Sequence, residues 1–418
     1  MNRALAALAA EFPLINDLFT TRLKQSLAAL AILFAVIASG AYAEIILDSE
    51  DLFTRAGPII GGDFVMFNLA AQLAGTPDMA SLLVRSRFPE RDAEDRPSGK
   101  GEFNLPWLYP PTISLLIQPF AEAPYLASFT FWVLAFGGIY LTAVWRFWPD
   151  KWAFVFILAA PATFQAVITG QNGFLTAALI ALAGAFADRR PLIAGLAAGL
   201  LTIKPQLGLL IPIAFLAAGC WRAFLIAAVS AILFALLSLV AFGHQPWVEF
   251  AAAIATHTER MSGFGFPFYK LVTPFGFATM LGAPIGLANA VQIAASLALA
   301  AYIFVVWRRI KDWDLRVAAL STAAMLATPY AMYYELVIMA PAMLLIARRG
   351  AVSGWLPLER TSLIAVWAAP ILMPGSSDAA APLCASAAFV AFLVAARRTL
   401  AAAGVRFAIE ETPAQAGS

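Results

Sequence analysis

Residues 189–222 read RRPLIAGLAAGLLTIKPQLGLLIPIAFLAAGCWR. Two arginines open the stretch, Arg222 closes it, and its apolar interior carries a single charge, Lys204, followed at once by Pro205. As one helix it would run through Lys204-Pro205, where the residue before proline resists the α conformation and the ring clashes with the preceding turn. It would also place Arg189 and Arg222 on opposite membrane faces, whereas short basic loops stay on the cytoplasmic side. Read as two segments, 191–203 and 207–219, joined by the turn Lys204-Pro205-Gln206, the stretch keeps its arginines on one face. The whole chain agrees with a membrane setting. Of its 418 residues 61% are apolar and 12% charged, against about 45–50% and about 25% in a soluble domain. So little charge cannot cover a soluble globule, which excludes a cytosolic enzyme, a nucleic-acid binder and a disordered chain. A net charge of +2 points to no large acidic or basic partner, and Cys220 and Cys384 lie in apolar runs, away from any disulfide framework or cysteine-rich metal site.

Working outward, the same basic markers order the rest. Residues 1–25 carry Glu11 and Asp17 before any long apolar run, unlike a cleavable signal peptide, and form a cytoplasmic segment. Apolar runs follow at 26–43, 125–145, 152–169, 174–187, 191–203, 207–219, 223–242, 285–306, 315–329, 334–347, 361–374 and 380–395. Crossing the membrane at each run puts Arg146, Lys151, Arg189, Arg190, Arg222, Arg308, Arg309, Lys311, Arg348, Arg349, Arg397 and Arg398 inside. The expected fold is an all-α polytopic membrane bundle of about twelve transmembrane helices over 26–398, in the inner membrane, with both termini cytoplasmic. The tail 399–418 is cytoplasmic, and external loops at 44–110 and 243–284 face the periplasm.

Few polar groups lack a topological role, and these stand on the outer side. Segment 191–203 would rise only about 20 Å, short of a core of about 30 Å, and short Gly- or Pro-interrupted segments mark irregular backbone around a polar cavity. The outer turns Thr169-Gly170-Gln171-Asn172-Gly173 and Lys204-Pro205-Gln206 both point to one external cavity. Lys204 either snorkels to the headgroups or holds an anionic phosphate. In the first external loop, Gly61-Gly62-Asp63 precedes Phe64, Phe67, Ala71 and Ala74 at helical spacing, the pattern of a short interfacial helix. Asp63 either caps that helix or serves chemistry. The charged run 85–102 reads as a mobile surface segment, and Trp107-Leu108-Tyr109-Pro110-Pro111 re-enters the membrane surface ahead of a second short apolar helix.

Gly62-Asp63, Tyr109-Pro110-Pro111, Gly170-Gln171-Asn172 and Lys204-Pro205, in this order, resemble the polyprenol-phosphate-sugar-dependent glycosyltransferases of the GT-C fold. The chain is most similar to glycosyltransferase family 87, the polyprenol-phosphate-mannose-dependent α-mannosyltransferase group. The resemblance implies a GT-C-like bundle, a catalytic base at Asp63, a phosphate-binding cation at Lys204 and inversion at a β-linked lipid donor. It also implies transfer of a sugar from a polyprenyl-phosphate donor to a glycan or glycolipid acceptor of the cell envelope.

The chain offers the groups this chemistry requires: a base for the acceptor hydroxyl, cations for the departing phosphate and apolar surface for the lipid. Asp63, with a carboxylate pKa near about 4, is ionised at neutral pH. Arg260 and Lys270 join Lys204 as phosphate ligands. Tyr109, Gln171, Asn172, His257 and Glu335 are candidate substrate-binding residues, and Trp107 and the run 264–269 supply aromatic surface. Family members carry a histidine at the outer end of a later span, where this chain reads Thr328-Pro329-Tyr330-Ala331-Met332-Tyr333-Tyr334-Glu335. Glu335 there either supplies a carboxylate or pairs with a cation. No Asp-x-Asp pair for a metal-bound nucleotide sugar is expected in a cytoplasmic loop, which favours a metal-independent lipid donor over a nucleotide donor, and no cofactor or metal is anticipated. Membrane lipids are the other partner, and nucleic acid is not one. Two other readings stand beside this one: a transporter or flippase of a lipid-linked or anionic substrate, for which no repeat between 1–209 and 210–418 speaks, and a non-catalytic scaffold subunit.

Overall fold

The computed structural model describes residues 23–50, 52–55, 59–80, 107–255, 268–372 and 381–403. The described chain is all-helical apart from isolated bridges such as Leu271 with Met332. Six of its helices are long and apolar enough to cross a membrane, and a seventh candidate is a pair bent by 48°. The long ones are α1 (Leu23–Leu47), α4 (Tyr125–Phe147), α11 (Trp221–Phe242), α14 (Ile285–Arg309), the unit formed by the 3-10 turn Tyr333–Ile338 with α16 (Met339–Ser353), and α18 (Ala381–Ala402). The bent pair is α5 (Lys151–Leu158) with α6 (Pro161–Thr169). Pro161 at the first turn of α6 sets the bend, because its ring closes off a continuous helix.

Short helices build the interior. These are α7 (Gly173–Phe186), α8 (Pro191–Leu200), α9 (Pro205–Gly208), α10 (Leu210–Ala218) and α15 (Trp313–Ala327), with α2 (Phe64–Leu73), α3 (Thr112–Ile117), α12 (Gln245–Ala255), α13 (Pro274–Met280) and α17 (Glu359–Ala368) arranged around them. Every residue of α15 from Asp314 to Ala327 is buried, as is every residue of α7 from Gly173 to Ala181. A helix apolar on all sides belongs inside a bundle. Alanine and glycine let α7 and α15 pack closely, with Gly184 of α7 set against Val317 of α15. By contrast α1 and α11 bury only 6% and 11% of their spanning windows and expose Leu30, Val36, Leu233 and Val240. Those faces suit lipid.

The decisive stretch 189–222 is broken where proline demands it. Helix α8 tightens into a 3-10 turn, Leu201–Ile203, and ends at Lys204, and α9 starts at Pro205. The two flanks return to the same end of the molecule: the Cys220 thiol donates to Asp188 Oδ1 at 2.9 Å. Helices α7 and α15, each about 21–23 Å long at 1.5 Å per residue, separate two poles. At one pole Arg316 pairs with Asp188 (2.5 Å), Arg348 with Asp314, Arg349 with Asp312 and Arg398 with Glu359. Arg348 also ties in the Phe147 carbonyl (2.8 Å) at the end of α4. At the other pole lie Gln171, Lys204 and Glu335, at the opposite ends of α7, α8 and α16.

Helix α2 forms where its spacing predicts a short helix, and protein covers one face of it. Phe64, Met66, Phe67, Asn68, Ala70 and Ala71 are buried, and Phe67 lies among Trp107, Tyr109 and Trp132 at centroid distances of 5.5, 5.1 and 4.8 Å. The aromatic re-entry segment covers α2, which the spacing of its own residues could not reveal.

Loop 169–173 docks on the Gly61-Gly62-Asp63 turn by backbone, with Asp63 N donating to Thr169 O at 2.9 Å. Gly170 permits the approach. Its φ is +59°, and a Cβ there would stand 2.3 Å from Gly61 O and 2.5 Å from Phe64 Cβ. Gly170→Val therefore combines left-handed strain with a backbone clash and should cost about 2–4 kcal/mol. Thermal unfolding in detergent should show a markedly lowered midpoint, and an unchanged midpoint would refute the docking.

Candidate functional site

Six separate segments meet at the pole opposite the arginine-carboxylate pairs. The Gly61-Gly62-Asp63 turn is fixed by Tyr125, whose hydroxyl donates to Ile60 O at 2.7 Å, and by the 169–173 loop. Tyr109 is held in the aromatic cluster of Phe67 and Trp107. The Lys204 turn is joined to α3 by Thr112, which donates to Thr202 O at 3.0 Å. Segment 268–273 lies along 329–332 through Val272 N to Ala331 O (2.9 Å) and the Thr273 hydroxyl to Pro329 O (3.2 Å).

A continuous polar chain crosses the site. Gln171 Nε2 donates to Asp63 Oδ2 at 2.6 Å, and the Tyr109 hydroxyl donates to Gln171 Oε1 at 3.0 Å. Lys204 Nζ donates to the Tyr109 hydroxyl and to Asn172 Oδ1, both at 3.4 Å, and forms an ion pair with Glu335. Glu335 Oε2 also accepts the Met332 backbone N–H at 3.1 Å. One set of side chains thus links carboxylate, amide, phenol, ammonium and carboxylate.

The geometry shows what the side chains of Asp63 and Glu335 each touch. Asp63 occupies the position before α2 yet makes no side-chain cap; its carboxylate reaches across to Gln171, and Oδ1 has no hydrogen bond among the described residues. Lys204 is 3% exposed and Glu335 1%, so the lysine does not snorkel and the glutamate is its partner. Removing one member of a buried pair leaves an uncompensated charge, at about 3–5 kcal/mol, while replacing both by apolar groups is often nearly neutral.

Asp63 also departs from the ordinary carboxylate. Burial raises its pKa above the usual value, opposed by the Gln171 hydrogen bond and by the charges of Lys270 and Lys204. Burial likewise raises the Tyr109 phenol, with Lys204 opposing, so Tyr109 stays a protonated donor. Lys270 reaches the site by field rather than contact, its ammonium 5.9 Å from the Tyr269 ring.

Of the other candidates, His257, Arg260 and residues 264–267 lie outside the described residues, and His244 sits exposed at the start of α12. Tyr330 and Tyr334 were not singled out by sequence, yet both stand close enough to Asp63 and Glu335 to feel their charges. The signal was the density of tyrosines at 330–334 beside Glu335. The Asn172 amide nitrogen is buried and has no hydrogen-bond partner among the described residues.

One expectation needs correction. An Asp-x-Asp spacing does occur, Asp312-Trp313-Asp314, at the arginine pole. Both carboxylates are taken: Asp312 caps α15 through the Asp314 N–H (2.9 Å) and pairs with Arg349, and Asp314 pairs with Arg348. As arranged they stabilise a helix start and an ion-pair cluster. Among the described residues no group of three or more His, Cys, Asp or Glu is placed to hold a metal ion.

The pair at Lys204 gives a test of stability against role. Glu335→Gln should lower stability by about 3–5 kcal/mol, read as a lowered unfolding midpoint. Lys204→Met with Glu335→Leu should recover most of that loss. A single variant as stable as the parent would show that the ammonium is compensated elsewhere.

The family model of glycosyltransferase family 87 matches residues 107–329, which include Tyr109, Gln171, Asn172, Lys204 and Lys270. Asp63 and Glu335 fall outside the match but are bound to it through Gln171 and Lys204. No curated protein and no solved structure matches the chain. With more than half of its length matched and its described residues arranged as a multi-pass helical bundle, the chain belongs to glycosyltransferase family 87.

Proposed function

We propose that this membrane glycosyltransferase moves a sugar from a polyprenyl-phosphate donor to a hydroxyl of a cell-envelope glycan or lipid, on the external face, with Asp63 as the base. The observation that carries the reading is the linked chain Asp63-Gln171-Tyr109-Lys204: a carboxylate with one free oxygen and a buried cation in one connected site. The acceptor hydroxyl gives its proton to Asp63 Oδ1 as its oxygen attacks the anomeric carbon. The bond from that carbon to the phosphate oxygen breaks, and polyprenyl phosphate leaves as an anion. Lys204 and Lys270 stabilise that anion. Lys204 has two long contacts, at 3.4 Å, that a phosphate oxygen can replace while Glu335 stays in place. The unpartnered Asn172 amide is a donor for a sugar or phosphate oxygen. Glu335, held by Lys204 and the Met332 N–H, is not free to act as a second carboxylate, which favours a single displacement.

The raised carboxyl of Asp63 suits a base, since proton transfer improves as the pKa approaches the working pH. The twelve-pass, GT-C-like topology with both termini cytoplasmic belongs to the same proposal. It is supported by the gathering of arginine ends at one pole and of the polar site at the other. The site then lies at the outer end of short buried helices, in a recess where irregular backbone is covered by protein. A flippase would need a comparable polar path from the other side, where Asp188 and Asp314 are each held by an arginine.

Asp63→Asn should reduce transfer from a polyprenyl-phosphate sugar by about 10²-fold or more; full activity would remove the base assignment. In the parent, kcat/KM should fall as pH drops through a value above the ordinary aspartate pKa of about 4, because the active form is deprotonated and burial raises its pKa. Gln171→Leu removes the bond that holds the pKa down, so this acid limb should move further up. A limb that stays put would detach Gln171 from Asp63. In a cysteine-free background, Leu281→Cys should label from outside intact cells and Arg222→Cys only after permeabilisation; the reverse would overturn the topology.

A further inference from the structure

A cleft of about 430 Å³ opens at the arginine pole, across the bundle from the polar site. It is formed where the end of α14, the turn into α15, the end of α16 and the end of α18 come together, with Leu315 in its floor. Among the described residues Arg309, Lys311, Arg349 and Arg398 line it, against a single carboxylate, Asp312.

Basic residues are expected at a cytoplasmic end for topology alone, but topology asks neither for convergence nor for unpaired charge. At this pole the carboxylates are already committed: Asp188 to Arg316, Asp314 to Arg348, Asp312 to Arg349 and Glu359 to Arg398. Arg309 and Lys311 are left over. Arg309 has one hydrogen bond, to the Ala403 carbonyl at 3.3 Å, and Lys311 has no ion pair or hydrogen bond among the described residues. Both are exposed, and both line the cleft.

We infer that this cleft binds a phosphate group, with Arg309 and Lys311 as its ligands beside the ion-paired Arg349 and Arg398. The planar guanidinium of Arg309 can take two phosphate oxygens, and the Lys311 ammonium supplies a point charge beside it. A phosphate there fits either the headgroup of an anionic lipid of the adjoining leaflet or a soluble phosphate or diphosphate. Basic pockets between transmembrane helices on the cytoplasmic side suit such headgroups. The site is separate from the glycosyl-transfer reading and stands without it.

The test uses the full-length protein in neutral detergent, with thermal unfolding measured against added phosphatidylglycerol, phosphatidylcholine or inorganic diphosphate. Phosphatidylglycerol should raise the midpoint, phosphatidylcholine should not, and Lys311→Gln should weaken the half-saturating phosphatidylglycerol concentration about fivefold. Arg309→Gln with Lys311→Gln should weaken it by more than about tenfold, while Arg308→Gln, which lies outside the cleft, should leave it unchanged. A response to diphosphate that the same variants abolish assigns the site to a soluble phosphate; a response to the anionic lipid alone assigns it to the headgroup. Equal responses in the parent and the Lys311→Gln variant, or equal losses for Arg308→Gln and Lys311→Gln, would overturn the inference.

Discussion

A lysine ammonium buried among helices must be compensated, and the pairing of Lys204 with Glu335 answers that demand. Much of the site follows from it. The pair holds the break between α8 and α9 against the turn that begins α16, two segments 131 positions apart in sequence, and Lys204 passes its order on to Tyr109 and Asn172. Through Tyr109 and Gln171 the same chain fixes the carboxylate of Asp63. A buried ion pair contributes little net stability compared with apolar residues of similar volume. What the pair does in this structure is hold a cation and a carboxylate at set positions in one recess.

Chain breaks make this possible. Helices α7 and α15 are too short to cross a membrane core of about 30 Å by themselves, and Pro161, Pro191 and Pro205 all begin helices rather than interrupt them. The loops that result at 169–173, 204 and 328–335 carry the polar groups. Gly170 lets one loop touch another by backbone, and the aromatic cluster of Phe67, Trp107 and Trp132 closes over α2. The opposite pole solves a different problem, with Asp188, Asp312, Asp314 and Glu359 each answered by an arginine.

Much of this was legible in sequence because charge is so sparse. The break at Lys204-Pro205 followed from proline sterics, and the return of Arg189 and Arg222 to one end followed from the placement of basic residues; the contact of Cys220 with Asp188 agrees. Asp63, Gln171, Asn172, Lys204 and Glu335 were all visible as polar exceptions. Their connections were not, because Gln171 and Asp63 lie 108 positions apart and Tyr109 and Lys204 lie 95 apart, and no local periodicity encodes such pairing. The same limit hides the cover over α2, whose buried face depends on residues 107–132. The raised carboxyl of Asp63 and the nearness of Tyr330 and Tyr334 also arise only once the segments are packed. Asp312-Trp313-Asp314 teaches the reverse, since a spacing that suggests metal binding is spent on Arg348, Arg349 and a helix start.

The central claim is that Lys204 and Asp63 serve one reaction at one site. A structure determined with a polyprenyl phosphate bound tests it most directly. The phosphate should lie within hydrogen-bond distance of Lys204 Nζ, with room beside the free oxygen of Asp63 for an acceptor hydroxyl. A phosphate bound elsewhere, with Lys204 and Glu335 closed upon each other and no path from the lipid to Asp63, would contradict it.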